Sequence, residues 1–189
     1  MAMRWFTHAG PEMRTERLLL RPPQPQDWRP WAELRQASRD YLVPWEPQWG
    51  PDHLTEYAFR QRFLRRREDD SSRTFFLFEG DDGPIVGGIT FNNIHYGVAQ
   101  TASFGYWLGE SFAGQGYMTE ALRRLVRYGF EDIGLHRLEA FCIPENRRSR
   151  NVIERIGFKE EGFLRQYLKI NGEWRDHVLY SLLRTDQAH

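Results

Sequence analysis

Hydrophobic residues alternate with polar ones in some short segments of the chain and recur every three or four positions in longer ones. Alternation is typical of strands with one buried face, and the longer spacing is typical of amphipathic helices. The pattern predicts strands at residues 17–21, 74–78, 85–91, 102–109 and 136–143, and a final pair on either side of residues 171–172. It predicts helices at residues 26–38, 52–69 and 146–156, and one that runs from a glycine loop at 114–116 to about residue 132.

Turn-forming residues separate these segments. Pro22-Pro23 ends the first strand, and Asp81-Asp82-Gly83 and Asn171-Gly172 predict tight turns between neighbouring strands. Residues 41–47 contain too many prolines for regular structure, so we expect an ordered loop there. With seven predicted strands, four predicted helices and no repeat or linker, the sequence indicates one α/β domain with a mixed sheet over residues 1–189.

Composition and charge narrow the possible function classes. The 189 residues include 26 basic and 26 acidic side chains, so the formal net charge is zero and no direct nucleic-acid binding is expected. The one cysteine, Cys142, excludes an internal disulfide and fits a reducing cytoplasm. No segment has the apolar length of a signal peptide or a membrane span, so we expect a cytoplasmic protein without membrane contact. The six histidines are scattered, and we expect no metal site.

Two glycines, Gly114 and Gly116, lie between an alternating apolar run and a helical pattern. A strand that enters a helix through such a loop directs several free backbone N–H groups, and the positive end of the helix dipole, to one point. That point suits a phosphate or a pyrophosphate. Many junctions of this kind bind nothing, so the glycines alone leave both interpretations open.

A second polar pair lies downstream, where Asn146 and Ser149 begin a predicted helix. In one interpretation Asn146 caps the helix and Ser149 occupies its first turn for ordinary reasons. In the other, the amide and the hydroxyl both face a ligand that the preceding strand and glycine loop hold.

Three segments together resemble the GNAT superfamily of acetyl-CoA-dependent N-acetyltransferases. They are the strand Gly105-Tyr106-Trp107-Leu108, the loop and helix start at 114–121, and Asn146-x-x-Ser149 with residues 154–158. The order of elements agrees from about residue 15 to residue 183. The resemblance implies the GNAT fold, an α/β fold with a mixed, mostly antiparallel central sheet of about seven strands flanked by four helices.

Three further segments are similar to the RimJ/RimL-type ribosomal-protein-alanine N-acetyltransferases: Thr15-Glu16-Arg17-Leu18, Pro44-Trp45-Glu46-Pro47 and residues 171–178. This narrower resemblance implies direct acetyl transfer, in a ternary complex, to the N-terminal α-amine of a ribosomal protein that begins with Ala or Ser. The expected partner is therefore a peptide or protein N-terminus, and the enzyme is a monomer or a homodimer. Two alternatives stay open: an N-acetyltransferase of small amines such as polyamines or antibiotics, and a non-catalytic regulatory module that binds acyl-CoA.

The GNAT resemblance also implies where the cosubstrate acetyl-CoA binds. Backbone N–H groups after the glycines bind its pyrophosphate, main-chain groups of β-strand residues pair with its pantetheine arm, and an asparagine reaches that arm from the other side. The residues implied in cofactor binding are Trp107, Leu108, Gly114, Gln115, Gly116, Tyr117, Met118, Thr119, Asn146 and Ser149.

The expected proton donor is Ser149. Many GNAT enzymes use a tyrosine to protonate the departing thiolate, but Ile153 occupies that position in this chain and cannot donate. Several Rim-type enzymes resemble this chain in having the serine, so we expect Ser149 to protonate or stabilise the thiolate.

The general base is harder to assign, because Ser103 and Leu168 occupy the positions where many relatives carry one. Glu46 is then the best carboxylate, in the loop expected to border the acceptor pocket; the alternative is an ordinary carboxylate of a surface loop. Asp176 and His177 are weaker candidates. A peptide α-amine has a pKa of about 8, so a water chain that takes its proton is a further alternative.

Overall fold

The computed structural model describes residues 10–65 and 71–187, and within these residues eight strands form one sheet. The strands are β1 Met13–Arg14, β2 Leu18–Arg21, β3 Arg73–Glu79, β4 Ile85–His95, β5 Thr101–Leu108, β6 Arg137–Cys142, β7 Lys159–Ile170 and β8 Glu173–Leu183. Their order is β1-β2-β3-β4-β5-β6-β8-β7, with a parallel pair at β5–β6 and antiparallel pairs elsewhere. The predicted mixed, mostly antiparallel sheet is confirmed. The strand beyond the predicted seven is β1, whose two residues are too few to give a hydrophobic pattern.

The described residues contain five α-helices, in the four regions for which helices were predicted and in one for which a loop was predicted. They are α1 Trp28–Ala37, α2 Arg39–Leu42, α3 Glu56–Phe59, α4 Tyr117–Arg127 and α5 Arg147–Arg155. Short π-helical turns, Arg60–Leu64 and Tyr128–Asp132, extend α3 and α4. The predicted helix over 52–69 begins only at Glu56, because Thr55 caps it by accepting a hydrogen bond from the Ala58 N–H at 3.2 Å. Residues 66–69 of that prediction lie outside the described residues.

The predicted loop over 41–47 is wrong for most of its length. Helix α2 includes Tyr41 and Leu42, and Val43–Trp45 forms a 3-10 turn. Proline does not prevent this turn, because Pro44 lies in its first residues, where a backbone N–H has no helical partner to lose. The segment therefore holds Glu46, the next residue, on an ordered backbone.

The two faces of the sheet carry separate hydrophobic cores. Side chains alternate along β3, so that Phe75 and Leu77 pack in one cluster while Phe76 and Phe78 pack in the other. The first cluster is covered by α4 and α5, and the second by α1 and α3. Each face of the sheet thus has its own helices.

The sheet opens between its two parallel strands. β5 and β6 pair from Thr101 opposite Arg137 to Phe104 opposite Ala140, and no pairing between them continues beyond that point. β5 nevertheless runs on to Leu108, paired with β4. One edge of residues 105–108 is therefore available to pair with a bound molecule.

Candidate active site

A cavity of about 760 Å³ lies where β5 and β6 diverge. Most of the residues predicted from the sequence to form the site line it: Glu46, Trp107, Leu108, Gly114, Gly116, Met118, Thr119, Asn146 and Ser149. Gln115 and Tyr117 do not line the cavity. The cavity volume is within the range of small-molecule sites, roughly 300–1,000 Å³.

The glycine loop adopts a backbone that favours glycine. Gly114 has φ of 78° and Gly116 has φ of 85°, both in the left-handed region where a side chain is strained. Gly116 is the N-cap of α4, so the first N–H groups of that helix have no acceptor within it. With the positive end of the helix dipole, these groups suit an anion, and the predicted pyrophosphate is one.

The segment Thr15-Glu16-Arg17-Leu18 holds this loop in place. Glu120, in the first turn of α4, accepts hydrogen bonds from the Thr15 hydroxyl at 2.5 Å, the Arg17 N–H at 2.8 Å and the Arg17 Nε at 2.7 Å. Arg17 also donates from Nη1 to the Gln115 carbonyl at 3.0 Å, and its guanidinium lies 4.6 Å from the centre of the Tyr117 ring. Burial alone would raise the pKa of Glu120, but these donors hold that pKa below its usual value.

Gln115 and Tyr117 therefore support the loop with their own contacts. The Gln115 side chain donates to the Ser111 carbonyl at 3.0 Å, and the Tyr117 hydroxyl donates to Glu79. Their backbone N–H groups stay part of the predicted pyrophosphate site, whereas their side chains are engaged away from the cavity.

Ser149 lies at the centre of a hydrogen-bonded cluster beside the cavity. Asn146 caps α5, its Oδ1 accepting from the Ser149 N–H at 3.1 Å, so the capping interpretation of Asn146 is confirmed. The Ser149 Oγ lies 2.7 Å from the Tyr106 hydroxyl and 3.3 Å from the Cys142 Sγ. Because Asn146 and Ser149 also line the cavity, the cap does not exclude contact with a ligand. Ile153 is fully buried in the core and takes no part in the cluster.

Both neighbours of Ser149 are held in their neutral forms. Burial raises the pKa of Tyr106 well above its usual range, and burial raises the pKa of Cys142 to about 11. Tyr106 was missed in the sequence, although alternation along β5 puts it on the opposite face from Trp107 and so on the side of α5.

Glu46 is fixed by contacts on three sides. Its Oε2 accepts hydrogen bonds from Arg35 Nη2 and from Trp49 Nε1, the latter at 2.9 Å. Its carbonyl accepts from the Asn171 N–H at 2.8 Å, which joins the 3-10 turn to the β7–β8 hairpin. The Glu46 side chain is 20% exposed, and its partner Arg35 is buried between the rings of Trp49 and Trp107. Glu46 is therefore a partly buried, ion-paired carboxylate that lines the cavity, and its catalytic role stays a prediction.

The other base candidates differ in their position. Asp176 accepts from the Gln166 N–H at 2.7 Å and is not among the residues that line the cavity. His177 does line it and is 2% exposed, with Nδ1 3.0 Å from the Arg175 carbonyl oxygen. Burial lowers the pKa of His177.

The cavity has two chemically different sides. Tyr106, Cys142 and Ser149 belong to the side covered by α4 and α5. Glu46 and His177 belong to the opposite side, because Glu46 contacts Arg35 of α1 and the residue after His177, Val178, packs in the α4–α5 core. The α5 side therefore offers hydroxyl and thiol groups to the cavity, and the opposite side offers a carboxylate and an imidazole.

No group of three or more His, Cys, Asp or Glu side chains in 10–65 and 71–187 could hold a metal ion. No helix in these ranges has the length and apolar character needed to cross a membrane.

The comparison with protein families decides the identity of the fold. The family model "Acetyltransferase (GNAT) domain" matches residues 17–159. The chain belongs to the GNAT acetyltransferase family. The GNAT resemblance of the sequence is thus confirmed, and the protein is an N-acetyltransferase whose cosubstrate is acetyl-CoA.

Individual GNAT relatives are similar over nearly the whole chain. The ribosomal protein uS5-alanine N-acetyltransferase of Escherichia coli is 35% identical over 178 residues, which are 92% of this chain and 91% of that protein. The structure of Mycobacterium smegmatis RimJ in complex with CoA-disulfide has a TM-score of 0.85 at 32% identity, covering 96% of this chain and 89% of that one. The ribosomal-protein-S5-alanine acetyltransferase of Vibrio fischeri has a TM-score of 0.85 at 28% identity, covering 95% and 100%. The enzyme is accordingly an acetyl-CoA-dependent N-acetyltransferase of the RimJ/RimL type.

Proposed function

We propose that this enzyme acetylates the N-terminal α-amine of a ribosomal protein that begins with Ala or Ser. The observation that carries the proposal is the junction between Glu46 and Asn171, whose N–H donates to the Glu46 carbonyl at 2.8 Å. It joins residues 44–47 and 171–178, the two segments that resemble ribosomal-protein acetyltransferases on the acceptor side. The named function of the Escherichia coli relative supports the same acceptor class.

The donor side is proposed to bind acetyl-CoA along the open edge of β5. Backbone N–H groups from Gly114 to Thr119 hold the pyrophosphate, and main-chain groups of Trp107 and Leu108 pair with the pantetheine arm. The Asn146 amide, whose Oδ1 is engaged in the cap, has its Nδ2 left to donate to that arm.

On the α5 side of the cavity, Ser149 is proposed to protonate the departing thiolate. The one hydroxyl proton of Tyr106 has two acceptors within reach, the Ser149 Oγ at 2.7 Å and the Ser149 carbonyl oxygen at 3.2 Å. When Tyr106 donates to the nearer Oγ, the serine proton is free to be given to another acceptor. The neutral Cys142 thiol is a weak acceptor, so a thiolate in the cavity is the stronger competitor for that proton.

On the opposite side, Glu46 is proposed to bind the acceptor amine. Its Oε2 is occupied by Arg35 and Trp49, whereas its Oε1 has no hydrogen-bond partner within residues 10–65 and 71–187. That oxygen can accept a hydrogen bond from the incoming amine. The expected role of Glu46 as general base thus becomes, in this proposal, a role in placing the amine.

A direct assay tests the proposed acceptor. Purified enzyme is given acetyl-CoA and a peptide with the N-terminal sequence of ribosomal protein uS5, and both thiol release and the peptide mass are measured. We expect one acetyl group, located on the α-amine by tandem mass spectrometry, and no reaction with the same peptide already blocked at its N-terminus. Transfer to spermidine but not to the peptide would contradict the proposed acceptor. Tight CoA binding without transfer to any amine would favour a regulatory module.

A further inference from the structure

His177 is a buried histidine of the cavity wall to which the proposed function assigns no role. Its ring is 2% exposed, and it is the one histidine among the residues that line the cavity. A buried imidazole loses hydration, so its polar atoms need partners or a function.

The contacts of His177 fix its tautomer. Nδ1 lies 3.0 Å from the Arg175 carbonyl oxygen, and a carbonyl can only accept a hydrogen bond. Nδ1 therefore carries the proton, and Nε2 carries a lone pair. Nε2 has no hydrogen-bond partner among the residues that the structure describes.

Neighbouring rings hold the imidazole on the acceptor side. The Tyr167 ring packs edge-on against it, with centroids 5.7 Å apart and an interplanar angle of 77°. Tyr167 in turn packs against Phe141, which lines the cavity on the face opposite to Cys142. The imidazole thus lies across the sheet from Ser149.

We propose that His177 is the base of the reaction and takes a proton from the acceptor amine through Nε2, while Glu46 places that amine. This inference rests on the proposed function, because it assumes that an amine enters from the Glu46 side of the cavity.

The step balances with the groups present. As the nitrogen–carbon bond forms, the amine proton passes to Nε2 of His177. As the carbon–sulfur bond breaks, its electron pair stays on sulfur and the thiolate takes the Ser149 proton. His177 then gives its proton to water and Ser149 regains one from water, so both residues return to their starting forms.

The surroundings keep His177 ready to accept. Burial lowers the pKa of its imidazole, with a further lowering by Arg175 and an opposing effect of the Arg175 carbonyl and of Asp176. The ring is consequently neutral at pH 7, as a base must be. A neutral ring also does not repel the cationic form of an amine.

Two variants of His177 test the proposal, and they remove different parts of the side chain. His177→Ala removes the ring and opens a space beside the cavity, whereas His177→Asn keeps a donor for the Arg175 carbonyl but removes the base. We expect kcat to fall about 100-fold in both, the lower end of the usual range for acid–base catalysis. We expect the Kd for CoA to stay within about twofold of wild type, since the proposed pyrophosphate site at the start of α4 lies on the other face of the sheet.

Added imidazole separates a base from a structural residue. In His177→Ala we expect imidazole to restore turnover in proportion to its concentration, and more basic substituted imidazoles to restore more, with no CoA release when the peptide is left out. Loss of turnover in His177→Asn with an unchanged melting temperature supports the inference independently of the result with His177→Ala. Wild-type turnover in either variant would overturn it, as would a loss in His177→Ala that no imidazole restores.

Assays with two acceptor amines, the peptide and spermidine, distinguish a failure of this inference from a failure of the proposed function. If the wild type acetylates spermidine and not the peptide, the proposed acceptor is wrong, and the same comparison of variants with spermidine still decides the role of His177. A wild type that acetylates neither amine would overturn both.

Discussion

The Tyr106 hydroxyl lies 2.7 Å from the Oγ of Ser149 and 3.2 Å from its carbonyl oxygen, so a strand residue holds the helix residue proposed as the acid. The raised pKa of Tyr106 keeps its proton on the oxygen at neutral pH. Tyr106 thus acts on the thiolate through Ser149 and is a positioning residue in this proposal.

Separate substitutions of Ser149 and Tyr106 distinguish the proposed acid from the residue that positions it. We expect Ser149→Ala to lower kcat about 100-fold. Tyr106→Phe should lower it about fivefold, because one hydrogen bond between neutral groups contributes roughly 1 kcal/mol. The Kd for CoA, measured by calorimetry, should change little in either variant.

The double variant tests whether Tyr106 acts through Ser149. If it does, Tyr106→Phe has no further effect once Ser149 is alanine, and the double variant has the kcat of Ser149→Ala. Multiplying effects would show that Tyr106 contributes independently, and an unchanged kcat in Ser149→Ala would contradict the assignment of the acid.

Glu46→Gln should affect the acceptor far more than the donor. We expect the KM for the peptide to rise about tenfold, the effect of losing about 1.4 kcal/mol of binding, with an unchanged Kd for CoA. Removal of the charge also leaves the buried Arg35 unpaired, so the free energy of unfolding should fall by roughly 3 kcal/mol. Denaturant unfolding at several temperatures shows where both the wild type and Glu46→Gln are folded, and the kinetics are measured at such a temperature.

The matched control for Glu46 is Glu33→Gln, which changes an exposed carboxylate of α1, the helix that carries Arg35. Glu33 does not line the cavity, and we expect its substitution to alter neither KM nor stability measurably. Equal peptide KM values for Glu46→Gln and wild type would contradict a role of Glu46 on the acceptor side.

The hydrophobic pattern predicts most of the fold because β3, β4, β5, β6 and β8 bury side chains in the two cores. The longest strand, β7, is mostly exposed, and its prediction depends on the Asn171-Gly172 turn instead. The pattern fails at residues 41–45, where helical structure depends on tertiary contacts and on the tolerance of Pro44 in a first turn. It also fails at β1, since a two-residue strand depends on its pairing with β2 and has no periodicity of its own.

The candidate site is predictable where it is built from local sequence and hidden where it depends on packing. The glycine loop and the Asn146 cap are local, and the sequence indicates both. Tyr106 meets Ser149 across 43 positions of the chain, and Arg17 meets Glu120 across 103. Such pairs follow from the register of the sheet and the packing of helices on it, which one sequence does not specify.

Alanine substitutions of Gly114 and Gly116 compare two glycines of the loop, of which Gly116 alone is the N-cap of α4. Alanine at either position puts a side chain in the left-handed region, and each change should lower the free energy of unfolding by about 1 kcal/mol. A Cβ at 114 meets nothing within 4 Å, and a Cβ at 116 lies at an ordinary contact distance, 3.4 Å, from Nη2 of Arg17. Gly116 is the N-cap of α4, so a shift of its backbone moves the first N–H groups of that helix, and we expect Gly116→Ala to weaken CoA binding more than Gly114→Ala does. Equal Kd values for the two variants would show that the N-cap position has no special weight in CoA binding.

The hydrogen bonds of Glu120 predict a dependence of stability on pH. The pKa of Glu120 in the folded protein lies below its ordinary value of 4.5, so its contribution to stability is present above pH 4.5 and is lost as the pH falls through the lower, folded-state pKa. Glu120→Gln removes this contribution and loosens the loop, so we expect the Kd for CoA to rise. We expect unfolding to show a gap in stability between wild type and Glu120→Gln that is constant from pH 6 to pH 7 and narrows below about pH 4.5.

Glu131, an exposed glutamate that follows α4, is the matched control, and Glu131→Gln should leave CoA binding unchanged. A gap that widens as the pH falls would contradict the assignment, because it would mean that folding favours the protonated form of Glu120.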